Sequence, residues 1–107
     1  MLELSDVLAA RDRVAETARH TPLDYSHTIS SMTGADVHLK LETFQRTGAF
    51  KIRGATNRIA TLPDEDRESG VITASAGNHA QGVALAATRM GVDAKVVMPE
   101  NAPISKV

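Results

Sequence analysis

The pattern that most restricts this chain runs from residue 71 to residue 98. Val71-Ile-Thr is a short apolar run, and Ser75-Ala-Gly-Asn-His79 follows it as a glycine-containing turn. A segment rich in small apolar residues then extends to Met90 and stops at Gly91. Ala94-Lys-Val-Val-Met98 is apolar again and is closed by Pro99. A strand, a helix over residues 77–90 and a second strand require a crossover, and a crossover makes the two strands parallel. Parallel strands are covered by helices on their faces, so the segment predicts an α/β layered fold.

The residues before it extend the same order. Val37-His-Leu-Lys-Leu41 alternates apolar and polar, as a strand does. A helix is predicted from about Ala49 to Leu62, broken by Pro63, and residues 64–69 read as a charged surface turn closed by Gly70. Strand, helix, strand, helix, strand describes a three-layer, right-handed βαβαβ unit with a three-stranded parallel sheet. Residues 1–35 form a helical lead-in. Ser5 can cap a helix to about His20, which Thr21-Pro22 stops, and a shorter helix over residues 26–32 ends at Gly34. Residues 36–107 then form part of a small α/β domain. Residues 100–107 look like the start of a further element, and three parallel strands usually belong to a wider sheet, so the chain reads as cut off.

Composition closes several routes. The chain has 107 residues and no cysteine, which removes disulfides, thiolate metal sites and cysteine nucleophiles together. Four histidines without ligand spacing give no metal case. A net charge of −1 provides no attraction to nucleic acid or to an acidic membrane. Residues 2–14 are interrupted by charges, and no apolar run approaches the roughly 20 residues of a membrane span, so a cytoplasmic location is expected. Tyr25, Phe44 and Phe50 are the only aromatics, so the core must be built from aliphatic residues.

Two stretches carry the chemistry. On the helix that starts near Ala49, Ile52, Ala55, Ile59 and Leu62 share one face, with Lys51 at its margin and Arg53 pointing away. Partial desolvation and the positive end of the helix dipole both favour a neutral, nucleophilic Lys51 amine. Gly48 and Gly54 allow backbone or ligand to approach, and Phe50 can lie against a flat ring. The plain alternative is that Lys51 snorkels into water. Arg53 reads as an ion-pair partner. The second stretch, Ser75 to His79, lies at the carboxyl end of a strand and opens a helix, where an α/β sheet binds ligands and free N–H groups attract an anion. Its plain alternative is a capped turn in which Ser75 or Asn78 satisfies helix N–H groups. Val83-Ala84 stand where a phosphate loop needs Lys and Ser or Thr, so ATP chemistry is not supported.

Together, Lys40-Leu-Glu-Thr-Phe-Gln-Arg-Thr-Gly-Ala-Phe-Lys-Ile-Arg-Gly-Ala55 and Ser75-Ala-Gly-Asn-His-Ala-Gln-Gly82 closely resemble the threonine dehydratase (threonine ammonia-lyase) family. Val96-Val-Met-Pro99 and Ala102-Pro-Ile-Ser-Lys-Val107 resemble that family's next segment. These are fold-type-II pyridoxal-phosphate enzymes of the tryptophan synthase β-like fold. The resemblance runs from about Thr21 onward and covers the amino-terminal third or so of a family member. It implies a cytoplasmic homo-oligomeric lyase of amino-acid metabolism, such as isoleucine biosynthesis. It implies conversion of L-threonine to 2-oxobutanoate and ammonia, with L-serine as a second substrate. It implies that Lys51 carries pyridoxal phosphate and removes the substrate Cα proton, that Phe50 packs on the cofactor ring, and that Asn78 bonds the cofactor's 3-oxygen. It implies that Ser75, Ala76, Gly77, Asn78 and His79 hold the substrate carboxylate. Family racemases carry a serine where this chain has Ala76, and the synthase relatives carry Lys-Asp-Arg where it has Lys51-Ile-Arg53, so the dehydratase branch is favoured. A serine or aspartate racemase and a non-catalytic module that binds a small anion are the alternatives. The cofactor-phosphate loop and the closing domain lie outside these residues, so the chain alone is expected to be inactive.

Overall fold

The computed structural model describes residues 1–103. Helix α1 spans Leu4–Ala15, strand β1 Leu23–Tyr25, helix α2 His27–Thr33 and strand β2 His38–Lys40. A 3-10 turn at Glu42–Phe44 leads to helix α3, Lys51–Ala60, and then to helix α4, Asp64–Ser69. Strand β3, Val71–Ala74, helix α5, Asn78–Met90, and strand β4, Ala94–Val97, complete the order.

The β3–α5–β4 segment forms as its pattern predicts. β3 and β4 pair in parallel, with Val71 opposite Ala94 and Ala74 opposite Val97. α2 also forms as expected: Ser26 Oγ accepts the Ile29 N–H (3.3 Å), and the helix ends at left-handed Gly34.

The three-stranded parallel sheet does not form among the described residues. β2 pairs instead with β1, antiparallel, with Leu23 opposite Lys40 and Tyr25 opposite His38. The alternation at residues 37–41 thus belongs to a two-stranded ribbon, in which antiparallel pairing tolerates open faces. β1 is three residues long, too short for an alternation to mark it in the sequence, and all three residues are exposed.

Three boundaries also differ from expectation. α1 starts one residue before Ser5, because Glu3 and Asp6 close a capping box in which the Glu3 N–H donates to Asp6 Oδ2 (2.8 Å). It ends at Ala15 rather than near His20, since the Arg19 N–H donates to Gln45 Oε1 (2.9 Å) and leaves the helix ladder. Residues 64–69 form a helix rather than a turn: three acids in the first turn and Arg67 in the last complement the dipole. Over residues 99–102 the chain turns, with the Ala102 N–H donating to Pro99 O (3.0 Å). The further element expected over residues 100–107 lies partly outside the described residues, and residues 104–107 wholly so.

The core lies between α3 and α5. Ile52, Ala55 and Ile59 are buried on the predicted face of α3, with Leu62 half-buried beyond its end. They pack with Val83, Ala86 and Ala87 of α5, with Val92, and with Val14 and Ala18 from the lead-in. The Arg13 guanidinium donates to Asn57 Oδ1 (2.8 Å) and ties α1 to α3. Thr56 is fully buried in this core, and its Oγ1 has no hydrogen-bond partner among the described residues. A buried hydroxyl without a partner is destabilising, and an apolar group of the same shape removes the penalty. Thr56→Val is therefore expected to stabilise the chain by about 1 kcal/mol. A lower melting temperature for the valine variant would show that the hydroxyl is satisfied.

Candidate active site

The Lys51 end of α3 is built by the loop that precedes it. The Gly48 N–H donates to Gln45 O (2.9 Å), and Gly48 takes a positive φ of 67°, a conformation that strains residues with a Cβ. That turn feeds Ala49, which is buried, and Phe50, which is exposed and precedes the first helical residue. Lys51 is that first residue. Gly54, expected to permit a close approach, has open space where a Cβ would stand.

Arg53 anchors the same helix turn. Its Nε donates to Glu42 Oε2 (2.9 Å) and its Nη2 to Glu42 Oε1 (2.8 Å), a two-point pair of the kind arginine favours. Thr21 Oγ1 donates to Glu42 Oε1 (2.6 Å), and Gln45 Nε2 donates to Oε2 (3.2 Å). Gln45 is buried and also donates to Arg19 O (2.9 Å). Lys40 Nζ donates to Thr21 O. The lead-in, the 3-10 turn and α3 therefore meet on one carboxylate. The Arg53 hydrogen bonds, then those of Thr21 and Gln45, outweigh desolvation and hold Glu42 at about 2, below the ordinary 4.5. The pairing also raises Arg53. The ion-pair role read for Arg53 is the observed one. Its partner Glu42, together with Gln45, was missed. The charge pattern Glu42…Arg53 spans a loop, and no helical spacing marks it.

Lys51 differs from its neighbour. It is exposed, where the helix wheel predicted partial desolvation. The wheel places Lys51 at the margin of the apolar face, and no described element closes over that margin. It forms no ion pair among the described residues. The Phe50 ring lies against it, with Nζ 5.5 Å from the ring centroid.

The turn at residues 75–79 is tied to the sheet. The Ser75 N–H donates to Val97 O (3.0 Å), and Ser75 Oγ accepts the Gly77 N–H (3.2 Å). Ser75 thus takes up one turn N–H, as the capped-turn alternative expected. Gly77 precedes α5 and brings no capping side chain to the helix start. Ser75, Ala76 and Gly77 are half-buried, whereas Asn78 and His79 are exposed.

The two stretches are brought together by the α3–α5 contact. A Cβ on Gly82 would stand 3.1 Å from the carbonyl carbon and oxygen of Lys51, so α5 touches the first peptide of α3. Lys51 and Phe50 also line a cavity of about 630 Å³ with His79 and Val83. That cavity meets the site at one end only. Its remainder runs over Ile59, Leu62 and Ile72 with Arg58, Asp66 and Ser69 also on its lining, and Ile72 is 71% exposed, so it is an open face of the fold. No group of three or more His, Cys, Asp or Glu that could hold a metal occurs among the described residues, and no described helix is long and apolar enough to cross a membrane.

Comparison with known proteins bears on this arrangement. The L-threonine ammonia-lyase of Thermotoga maritima is 50% identical over 107 residues, which span all of this chain and 27% of that protein. The L-threonine dehydratase catabolic TdcB of Staphylococcus aureus is 51% identical over 99% of this chain and 31% of its own length. The solved structure of maize serine racemase superposes with a TM-score of 0.86 at 46% identity, over 97% of this chain and 32% of that one. Threonine deaminase isoform 2 of Solanum lycopersicum gives 0.77 at 39% identity, over 98% and 32%. The chain thus spans about a third or less of the proteins it matches. Residues 14–107, which hold both stretches and the helices that join them, match the family described as pyridoxal-phosphate dependent enzyme, and this chain belongs to that family.

Proposed function

We propose that these residues are the amine-bearing part of an L-threonine ammonia-lyase, which takes L-threonine to 2-oxobutanoate and ammonia and accepts L-serine as a second substrate. The observation that supports the reading is the contact of α5 with the Lys51 peptide, which packs the backbone carrying a primary amine against the helix that the residue 75–79 turn opens. Pyridoxal phosphate is an aldehyde that also bears a phosphate, and the residues fit it: Lys51 supplies the amine and Phe50 a flat apolar surface next to it. Bound there, the cofactor supplies an electron sink for the charge left at the substrate Cα.

The chain's own residues do the rest. Lys51 Nζ would hold the cofactor through its aldehyde carbon and would accept the substrate Cα proton. The turn at residues 75–79, with the α5 dipole behind it, would hold the substrate carboxylate through backbone N–H groups other than those of Ser75 and Gly77, which donate to Val97 O and Ser75 Oγ. Asn78 would hydrogen-bond the cofactor's 3-oxygen. Ala76 offers no hydroxyl to return a proton to the opposite face, so loss of the β-hydroxyl competes with no second proton transfer. The enamine released then hydrolyses to the 2-oxo acid. The similarity to maize serine racemase makes racemisation the second reading, and residue 76 separates the two.

The test is a chimera in which this chain replaces the matching segment of the Thermotoga maritima relative. It is expected to form 2-oxobutanoate from L-threonine and to form little D-serine from L-serine, as read by chiral chromatography. The 107-residue chain alone is expected to form no measurable 2-oxobutanoate. A chimera that folds, interconverts serine enantiomers and eliminates nothing would sink the lyase reading.

A further inference from the structure

Gly82 is the fifth residue of α5 and is buried. Glycine inside a helix is less stable than alanine, so its presence there calls for a physical reason. The neighbouring geometry supplies one. A Cβ at Gly82 would stand 3.1 Å from Lys51 C, 3.1 Å from Lys51 O and 3.2 Å from Ile52 N. These are backbone atoms in the first turn of α3, so they cannot rotate aside as a flexible side chain would. The other mid-helix glycine, Gly54, has nothing within 4 Å. Methyl groups are accepted elsewhere on α5: Ala80, Ala86 and Ala87 are all buried, the last two in the core shared with Ile52. Of the two mid-helix glycines, only Gly82 makes a contact so tight that a methyl would require the neighbouring backbone, that of Lys51, to give way.

From this geometry we infer that Gly82 is a positioning residue for Lys51: the side chain it lacks sets how closely the amine-bearing start of α3 meets the turn that opens α5. The inference rests on the reading of Lys51 given above. Gly82 lies about one helical turn beyond the residue 75–79 turn, and Lys51 is itself the contact. A methyl at Gly82 moves the two helix starts apart by a few tenths of an ångström. Reacting groups are sensitive to displacements on that scale.

The experiment is reductive trapping on the whole 107-residue chain with pyridoxal phosphate and borohydride. The lysine nitrogen bonds the aldehyde carbon, water leaves, and hydride from borohydride makes the bond permanent. Peptide mass mapping then gives the label at Lys51 relative to Lys40 and Lys95 in the same molecules. The variants are Gly82→Ala and, as a packing control one turn along the same helix, Ala86→Val. Both are made in a Gly54→Ala background, whose added methyl meets nothing and raises helix propensity, so the strained chains remain folded. Gly82→Ala is expected to lower the Lys51 ratio about fivefold, while Ala86→Val at a matched loss of melting temperature leaves it unchanged. An unchanged ratio in folded Gly82→Ala, or an equal fall in Ala86→Val, overturns the inference alone. Absence of any Lys51 preference in the unsubstituted chain overturns the Lys51 reading and this inference with it.

Discussion

Replacing Lys51 by alanine in the chimera is expected to lower 2-oxobutanoate formation at least about a thousandfold, because in the proposed function one side chain would both attach the cofactor and move the Cα proton. Lys51→Arg is expected to be equally inactive: a guanidinium stays protonated and cannot serve as nucleophile or base. Neither change should unfold the protein. Lys51 is exposed, makes no ion pair among the described residues and begins its helix, where alanine is well tolerated. Loss of turnover with an unchanged melting temperature is therefore the expected pair of results. In the 107-residue chain, the same substitution removes selective labelling and leaves scattered labelling at Lys40, Lys95 and Lys106. Retention of activity within about tenfold in Lys51→Ala would assign the chemistry to another amine.

Glu42→Gln is expected to be the most damaging single substitution for stability outside the apolar core. Glu42 accepts hydrogen bonds from Arg53, Thr21 and Gln45, and its side chain is only 15% exposed. A glutamine fits the space, but its amide N–H₂ would face the Arg53 donors, and the guanidinium would lose its counter-charge. Because Arg53 remains 37% exposed, solvent screens part of the penalty, and a loss of about 2 to 3 kcal/mol is expected. The pH dependence follows from the direction of the shift. Glu42 is depressed in the folded chain to about 2, against 4.5 for the free side chain. Its contribution is therefore complete above about pH 4.5 and disappears as pH falls toward about 2, since protons bind the unfolded chain first. The Gln variant lacks this acid-sensitive component. Urea melts of both chains across that window should converge at the acid end, and parallel curves would show that the carboxylate contributes nothing.

The damage reaches the site as well. Arg53 lies two residues after Lys51 in the first turn of α3, and Glu42 ties that turn to Thr21 and Gln45. The lysine itself is free of this network, so the network steadies the helix beneath it without engaging the amine.

Much of the site was legible before the fold. Local chemistry announces a lysine at a helix entry after Gly48, and a glycine turn at the end of a short apolar strand. The buried face of α3 followed from the wheel, and β3, α5 and β4 followed from their periods. The misses share a cause. β1 is only three residues long, too short for an alternation to mark it. The end of α1 depends on Gln45, which lies 26 residues from Arg19. The desolvation expected at Lys51 assumed a covering surface that the wheel cannot supply.

What the amino-acid order determined by itself is the set of local elements and the chemical types at their ends, since periodicity, capping and turn preference act over a few residues. The pairing of β2 with β1 instead of with the β3–β4 sheet belongs to the tertiary structure. So does the gathering of Thr21 and Arg53 on Glu42. The fit of Gly82 against the Lys51 peptide is of the same kind. Each joins residues more than ten positions apart, and only the packed backbone decides which distant groups come within a few ångströms of one another.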